Sequence, residues 1–356
     1  MKGLAINKRF YFQVVKPLLD KNYPQLQYAC GLIGPGSDVL GIDDLISRDH
    51  NWGLRLIVFL EEKDLKLKNE ISEYLSSNLP RVFETIDVNW SSNLADDGSR
   101  TPAPTKGKIN HNITFYSIPE YLSNHFGVYS VESLKEEEWL LISEQKFLEF
   151  VSGEIFFDSI GKITDLRKIF NYYPFTIKII NLIGEWKAIA SEIAFVGRTR
   201  MLYDDVGSLL IASRLINRMM RISFILENQY IPYAKWIGTK FYYLHLAREL
   251  LPLFRQILAA SGWEEREDCL VQCYLYLAQE MKKLDLISSQ ITEIFYYSRP
   301  QKVININDII NDLSQKIDPV MVRKYCWGSI NQIIHISDTI DDRNYLKNLF
   351  TTFYQK

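Results

Sequence analysis

The chain is poor in cysteine. Its 356 residues hold four (Cys30, Cys269, Cys273 and Cys326), scattered rather than patterned, which excludes a disulfide framework and predicts a reduced, cytoplasmic protein. It lacks any uncharged apolar run near the roughly 18 residues a spanning helix needs. Even its greasiest stretch, Ile169 to Trp186, carries Lys178 and Glu185, so no membrane span is expected. Lys8 and Arg9 interrupt the first apolar stretch, so no signal peptide is read. Charge of one sign is also missing: 41 Lys plus Arg against 43 Asp plus Glu leave a net charge of −2, too little to recruit nucleic acid non-specifically. No Gly-Lys-Ser/Thr follows the glycines, and Gly31, Gly34 and Gly36 do not make Gly-x-Gly-x-x-Gly, so P-loop and dinucleotide-binding readings fall. No repeat of fixed period occurs.

What is present is a globular composition, 47% hydrophobic and 13% aromatic, on a chain long enough for about two domains. Phe10, Val14, Leu18 and Leu19 stand at helical spacing, and the short apolar run Tyr28 to Gly34 follows. Leu54 to Leu60 is the clearest strand. A charged helix from Glu61 to Ser77 and a third strand near Val82 to Trp90 are expected after it. Residues 91–112, rich in Ser, Asp, Gly and Pro, read as a long loop. From about Tyr129 onward the apolar positions recur at i, i+3 and i+4, over Glu132–Ser152, Ile163–Phe170, Phe175–Phe195, Val206–Asn228, Ala234–Ala260, Glu264–Glu280, Ile306–Lys316 and Val320–Ile336. The expectation is an α+β protein: a mixed sheet with flanking helices over residues 1–128, then a larger all-α domain over 129–356.

The stretch richest in chemistry runs from Gly34 to Leu60. A Gly36-Ser37 pair follows the first strand, Gly41 comes shortly after, and Asp49-His50-Asn51 leads into the next strand. Glycine lets the backbone approach a phosphate closely, a serine hydroxyl and N–H groups at a helix start bind its oxygens, and alternate acids on a strand point to one side to hold Mg²⁺. The order resembles that of nucleotidyltransferases of the DNA polymerase β type. A plain strand-to-helix turn with Asp43, Asp44 and Asp49 as surface caps is the alternative.

Three separated motifs widen the resemblance. Ser47-Arg-Asp-His-Asn-Trp-Gly-Leu-Arg55, Gly153-Glu-Ile-Phe-Phe-Asp-Ser-Ile-Gly161 with Leu166-Arg167 and Tyr173-Pro174 following, and Tyr230-Ile-Pro-Tyr-Ala-Lys-Trp236 resemble the uncharacterised family called domain of unknown function 4037. The resemblance spans about Ala29 to Leu258 and implies a nucleotidyltransferase-like head joined to a helical domain. On it, Asp49, Asn51 and Asp87 are the candidate catalytic and Mg²⁺-binding residues, and Gly36 and Ser37 hold the triphosphate. Asn51 departs from the pattern, which has a second aspartate there. An amide oxygen still ligates a metal but brings no charge, so Mg²⁺ binding should weaken and turnover with it. Asp87 is the best-placed third acid, with Glu84, of opposite strand phase, as its rival.

Strand alternation sends His50 to the face opposite the acids, where it bonds backbone rather than metal. Trp52 and Arg55 read as packing and ion-pair residues, with Arg55 within reach of a phosphate. Arg214, Arg218 and Arg221 share one helix face; they either meet an anion, with Arg218 as a phosphate contact, or pair with acids. Lys235, among aromatics, is the preferred helical-domain phosphate contact. Cys269 and Cys273 lie one turn apart without further ligands in sequence, which argues against zinc. The expected activity is Mg²⁺-dependent transfer of a nucleoside monophosphate from a nucleoside triphosphate to a hydroxyl, on a small molecule rather than a nucleic acid. The alternatives are a decayed nucleotide-binding or interaction protein, and a biosynthetic enzyme that reuses the pocket without nucleotide.

Overall fold

The computed structural model describes residues 2–44, 46–48, 52–92, 99–333 and 343–354. Along the chain run α1 (Gly3–Phe10), α2 (Lys16–Asn22), β1 (Tyr28–Leu32), β2 (Arg55–Leu60), α3 (Lys68–Asn78), β3 (Val82–Phe83), β4 (Ile86–Asp87), β5 (Asn112–Tyr116), α4 (Ile118–Phe126), α5 (Glu136–Leu141), α6 (Glu144–Val151), β6 (Glu154–Asp158) and α7 (Lys162–Ile169). There follow α8 (Phe175–Glu192), α9 (Phe195–Arg200), α10 (Asp205–Leu226), α11 (Ala234–Phe241), α12 (Ala247–Ala259), α13 (Trp263–Lys283), β7 (Glu293–Phe295), β8 (Lys302–Ile304), α14 (Ile306–Ser314), α15 (Pro319–Lys324), α16 (Ile330–Ile333) and α17 (Arg343–Tyr354). The class is α+β. Two compact units form, one from residues 1–134 and 146–171, the other from 135–145 and 172–356.

In the N-terminal unit the sheet order is β5-β2-β1-β6, with β1 antiparallel to both β2 and β6 and β5 parallel to β2. A parallel pair needs a crossover, and α3 with the β3–β4 hairpin supplies it. Alternation sorts the side chains: Cys30, Leu32, Leu56, Val58, Ile113 and Phe115 join a core with Ile6, Phe10, Ile71 and Leu75. Arg55, Ile57, Asn112 and Thr114 therefore fall on the opposite face. The N-terminal helix widens into a π turn over Tyr11–Val15, where the Tyr11 hydroxyl meets that of Tyr28 at 3.0 Å. Buried Asn7 is fully used: its amide donates to Gly3 O and Gly53 O, and its oxygen accepts the Arg55 amide.

Two expectations about this unit need correction. Val82 to Trp90 is not a third strand of the sheet but a separate hairpin, β3 against β4. Its turn residues Glu84 and Thr85 both have positive φ, as a tight hairpin requires. The unit also runs past the expected boundary at residue 128 and takes back residues 146–171, because Glu154–Asp158 is a strand that pairs with β1.

The second unit is helical, with one small hairpin, β7 against β8, where an all-α domain was expected. Its core joins Leu182, Ile183 and Trp186 of α8, Leu215 and Met219 of α10, Leu250 of α12, and Cys273, Tyr274 and Leu277 of α13. Where one helix was expected over Ala234–Ala260 there are two, α11 and α12, and Glu227 accepts the His245 and Leu246 amides between them. Among the described residues no helix is long and apolar enough to cross a membrane.

Candidate functional site

β1 ends in Leu32, and the chain turns at Ile33-Gly34-Pro35-Gly36-Ser37. Gly34 has φ +94 and Gly36 φ +138, values a side chain resists, so the turn needs both glycines. At Gly36 a Cβ would collide with the Arg55 guanidinium and with the Asp38 carboxylate. Those two groups are themselves bonded: Arg55 Nη2 donates to Asp38 Oδ1 at 2.6 Å, and the Val39 amide donates to the same oxygen at 2.9 Å. Asp38 is almost wholly buried, and neither its Oδ2 nor Arg55 Nε has a hydrogen-bond partner among the described residues. The turn is anchored from behind, where the Gly34 amide donates to Glu149 O and the Gly153 amide to Val39 O. The Tyr121 hydroxyl, buried and also without a partner, is 4.0 Å from where a Gly34 Cβ would stand.

A cavity of about 250 Å³ opens beside this turn, lined by Leu32, Ile33 and Pro35 from the end of β1, Arg55 to Ile57 of β2, and Asn112 and Thr114 of β5. Arg55, Ile57, Asn112 and Thr114 reach it from the sheet face opposite the core.

Ser37 behaves differently from the expectation. Residues 37 to 41 form successive turns rather than a helix, because the Asp38 side chain bonds its neighbour's amide and Gly41, at φ +73, leaves the helical region. The Ser37 hydroxyl donates to Ser47 O at 2.6 Å and so ties the turn to the next segment. Asp44 Oδ1 accepts the Ile46 and Ser47 amides, which holds its carboxyl below the ordinary value. Asp43 clips the N-terminus: it accepts the Gly3 amide at 2.6 Å and the Trp52 indole at 3.2 Å, and meets Lys2 at 3.1 Å. Burial alone would raise its pKa, but those partners outweigh burial and hold it low.

Asp49, His50 and Asn51 lie outside the described residues. β2 begins at Arg55, so the described strand does not include them. Of the two strands beside β2, β5 presents Asn112 and Thr114 to the cavity, and neither β5 nor β1 carries an acid. Asp87 lies opposite Val82 on the separate hairpin and does not line the cavity. Its rival Glu84 is engaged by Arg9 in a two-pronged pair, both contacts at 2.7 Å. Among the described residues no three Asp, Glu, His or Cys side chains converge as a cation requires.

In the helical unit the arginine stripe is paired with acids. Arg214 forks onto Glu192, Arg218 Nη1 donates to Glu185 Oε2 at 3.1 Å, and Arg221 bridges Glu185 Oε1 at 2.5 Å and Glu144 Oε2 at 3.1 Å. Glu144, Glu185 and Arg221 are buried. Burial pushes the Glu144 carboxyl up to about 7, against the pull of Arg221 and with a further push from Glu185. Burial would lower the Arg221 pKa, but Glu185 and Glu144 outweigh it. Lys235 is exposed, its ammonium 4.8 Å from the Trp236 ring centre. Cys269 and Cys273 sit in the α13 core, and Cys269 Sγ reaches Gln256 Oε1 at 3.5 Å.

The remaining motif residues shape the N-terminal unit. Gly153 has φ +68 and stands where a Cβ would strike Leu32 O. Asp158 accepts the Gly161 and Thr164 amides and so starts α7. Arg167 donates to the carbonyls of Phe150, Val151 and Ser152 at the end of α6. The residues that sequence reasoning missed are Asp38 and Tyr121; only the nearness of Asp38 to the Gly-Ser pair hinted at it.

The family model described as a domain of unknown function, DUF4037, matches residues 139–237. That span carries the Gly153–Gly161 and Tyr230–Trp236 motifs, so the resemblance read from them holds; the Ser47–Arg55 motif lies outside it. A nucleotidyltransferase-like protein from Exiguobacterium sibiricum 255-15 is similar in structure over 83% of this chain and 97% of its own, at 10% identity and a TM-score of 0.33. No curated protein matches the sequence.

Proposed function

We propose that the N-terminal unit is a nucleotidyltransferase-type head that binds a nucleoside triphosphate at the Gly34–Ser37 turn. It then moves the nucleoside monophosphate to a hydroxyl of a small acceptor. The observation that carries this reading is the turn itself: two glycines at positive φ, at the end of a strand, beside a cavity whose cationic lining residue is Arg55. Glycine backbone lets phosphate oxygens come close, and a guanidinium matches them in charge and geometry. In the transfer, the acceptor oxygen bonds the α-phosphorus, the bond from it to the bridging oxygen breaks, pyrophosphate leaves, and the hydroxyl proton passes to a carboxylate. Asp49 and Asn51 would hold Mg²⁺, whose part is to neutralise the triphosphate. A reduced, cytoplasmic setting belongs to the same proposal.

A second reading, nucleotide binding without turnover, is favoured by Asn51 and by β5, which presents Asn112 and Thr114 where a neighbouring strand would offer an acid. Calorimetric titration with ATP, GTP, CTP and UTP, with and without Mg²⁺, tests both. Metal-dependent binding of one triphosphate that Asp49→Ala abolishes supports the site, and absence of binding to all four overturns it. Pyrophosphate release with candidate acceptors supports transfer. Tighter Mg²⁺ binding in Asn51→Asp with no product supports the second reading.

A further inference from the structure

A second cavity, of about 100 Å³, lies wholly within the helical unit. Its lining is apolar in part, with Ile231 and Ile237 among others, and polar in part, with Ser143, Glu144, Asn217 and Arg221. Three of the polar residues are more than nine-tenths buried: Ser143 at 4% exposed, Glu144 at 3% and Arg221 at 6%. A buried polar group without a partner costs free energy, so its presence on a cavity wall asks for a ligand or water. The Ser143 hydroxyl is such a group among the described residues. Glu144 uses Oε2 on Arg221, and Oε1 accepts no hydrogen bond from a described residue. Asn217 spends neither end of its amide within the described residues.

Above about pH 7, where Glu144 is ionised, the charges behind the wall cancel. Arg218 and Arg221 face Glu185 and Glu144 in one connected set, two cations against two anions. A charged ligand of either sign would enter without a compensating partner and pay desolvation in full. A neutral one would not. Ser143, Glu144 and Asn217 offer a hydroxyl, a carboxylate oxygen and an amide, donors and acceptors together, and the chemical group that serves both roles at once is the alcohol. The apolar lining takes carbon. An apolar cavity of ~150 Å³ holds benzene, so this one takes a molecule of roughly six heavy atoms or fewer in its depth.

We propose that this cavity of the helical unit is a binding site for a small, uncharged, polyhydroxylated molecule, held by Ser143, Glu144 and Asn217 against Ile231 and Ile237. Every residue of this site belongs to the helical unit, so binding here is independent of triphosphate binding at the N-terminal turn.

The test is ligand-observed saturation-transfer NMR on the full chain with ethylene glycol, 1,2-propanediol and glycerol as probes, beside glycolate and 3-amino-1,2-propanediol as charged analogues. At least one neutral polyol should bind, with both charged analogues about tenfold weaker or worse. Asn217→Ala, at a half-buried helix position, should weaken binding about fivefold, the worth of one hydrogen bond. Ile237→Trp should fill the cavity and abolish binding while circular dichroism shows an intact fold; if that variant fails to fold, Asn217→Ala decides. Three results overturn the proposal: no polyol bound by the folded wild-type chain, affinity unchanged in the folded variants, or a charged analogue bound more tightly than every neutral one.

Discussion

Gly36 and its neighbours concentrate the N-terminal turn's constraints in a few atoms. A side chain at φ +138 is strained, and here it would also push into the Arg55–Asp38 pair. Gly36→Ala is therefore expected to cost about 1–3 kcal/mol of stability, read by urea unfolding, and to weaken triphosphate binding in the same protein. Asp38→Asn separates two effects in the opposite sense. It keeps the shape, removes the charge that engages Arg55, and is expected to lower stability by about 1–3 kcal/mol while tightening affinity for inorganic triphosphate. Calorimetry on the same sample checks both. Weaker anion binding in Asp38→Asn would mean that Arg55 is a strut and not a ligand. The turn at Gly34–Ser37 was legible because glycine at a strand end marks a reversal of the chain. The Arg55–Asp38 partnership was legible only by half: Arg55 reads as an ion-pair residue, but nothing in linear spacing says which acid it meets.

Among elements, those with strong periodicity were readable and those made by pairing were not. β2 and the helices α8, α10, α13 and α14 fall where apolar spacing puts them, since one face of each joins a core. β6 escaped because Glu154 and Asp158 flank a three-residue apolar run inside a helical stretch, and only its partner β1 makes it a strand. The β3–β4 hairpin was misread as sheet because tertiary context, not local pattern, decides which edge a strand meets. The end of α6 shows what such context costs to hold. Arg167 satisfies carbonyls of Phe150, Val151 and Ser152 with a largely buried guanidinium. Arg167→Met is expected to leave them unpaired and to destabilise the N-terminal unit by about 2–4 kcal/mol, seen as a lower denaturant midpoint. An unchanged midpoint would show that water replaces the guanidinium at no cost.

For the molecule as a whole, two buried acids set a pH dependence. Burial pushes Glu144 up to about 7, and burial does the same to Glu267, against the pull of the Lys302 and Gly197 amides. Both lie at 4.5 when unperturbed. Between 4.5 and 7 these two groups keep protons in the folded chain that they release in the unfolded one, so their contribution to stability falls as pH rises through that window and levels off above it, opposed by His111, whose burial lowers its pKa. Chemical unfolding at intervals across pH 4.5 to 8 should show the decline, with a shallower slope in Glu144→Gln. A slope identical to wild type would mean that Glu144 stays ionised throughout. None of this was visible in the chain, because Glu144, Glu185 and Arg221 are distant in sequence and meet only through α6, α8 and α10.

The pairing of β1 between β2 and β6 also has a consequence for biosynthesis. A ribosome delivers β1 and β2 early, yet the other neighbour of β1 appears about 90 residues after β2 ends, which at ~5–20 residues per second is a wait of roughly 5–20 s. For that interval a strand destined for the sheet's interior has one open flank on the nascent chain. Until Glu154 to Asp158 emerges, that flank is the natural place for a chaperone to engage and for a neighbouring nascent chain to pair wrongly.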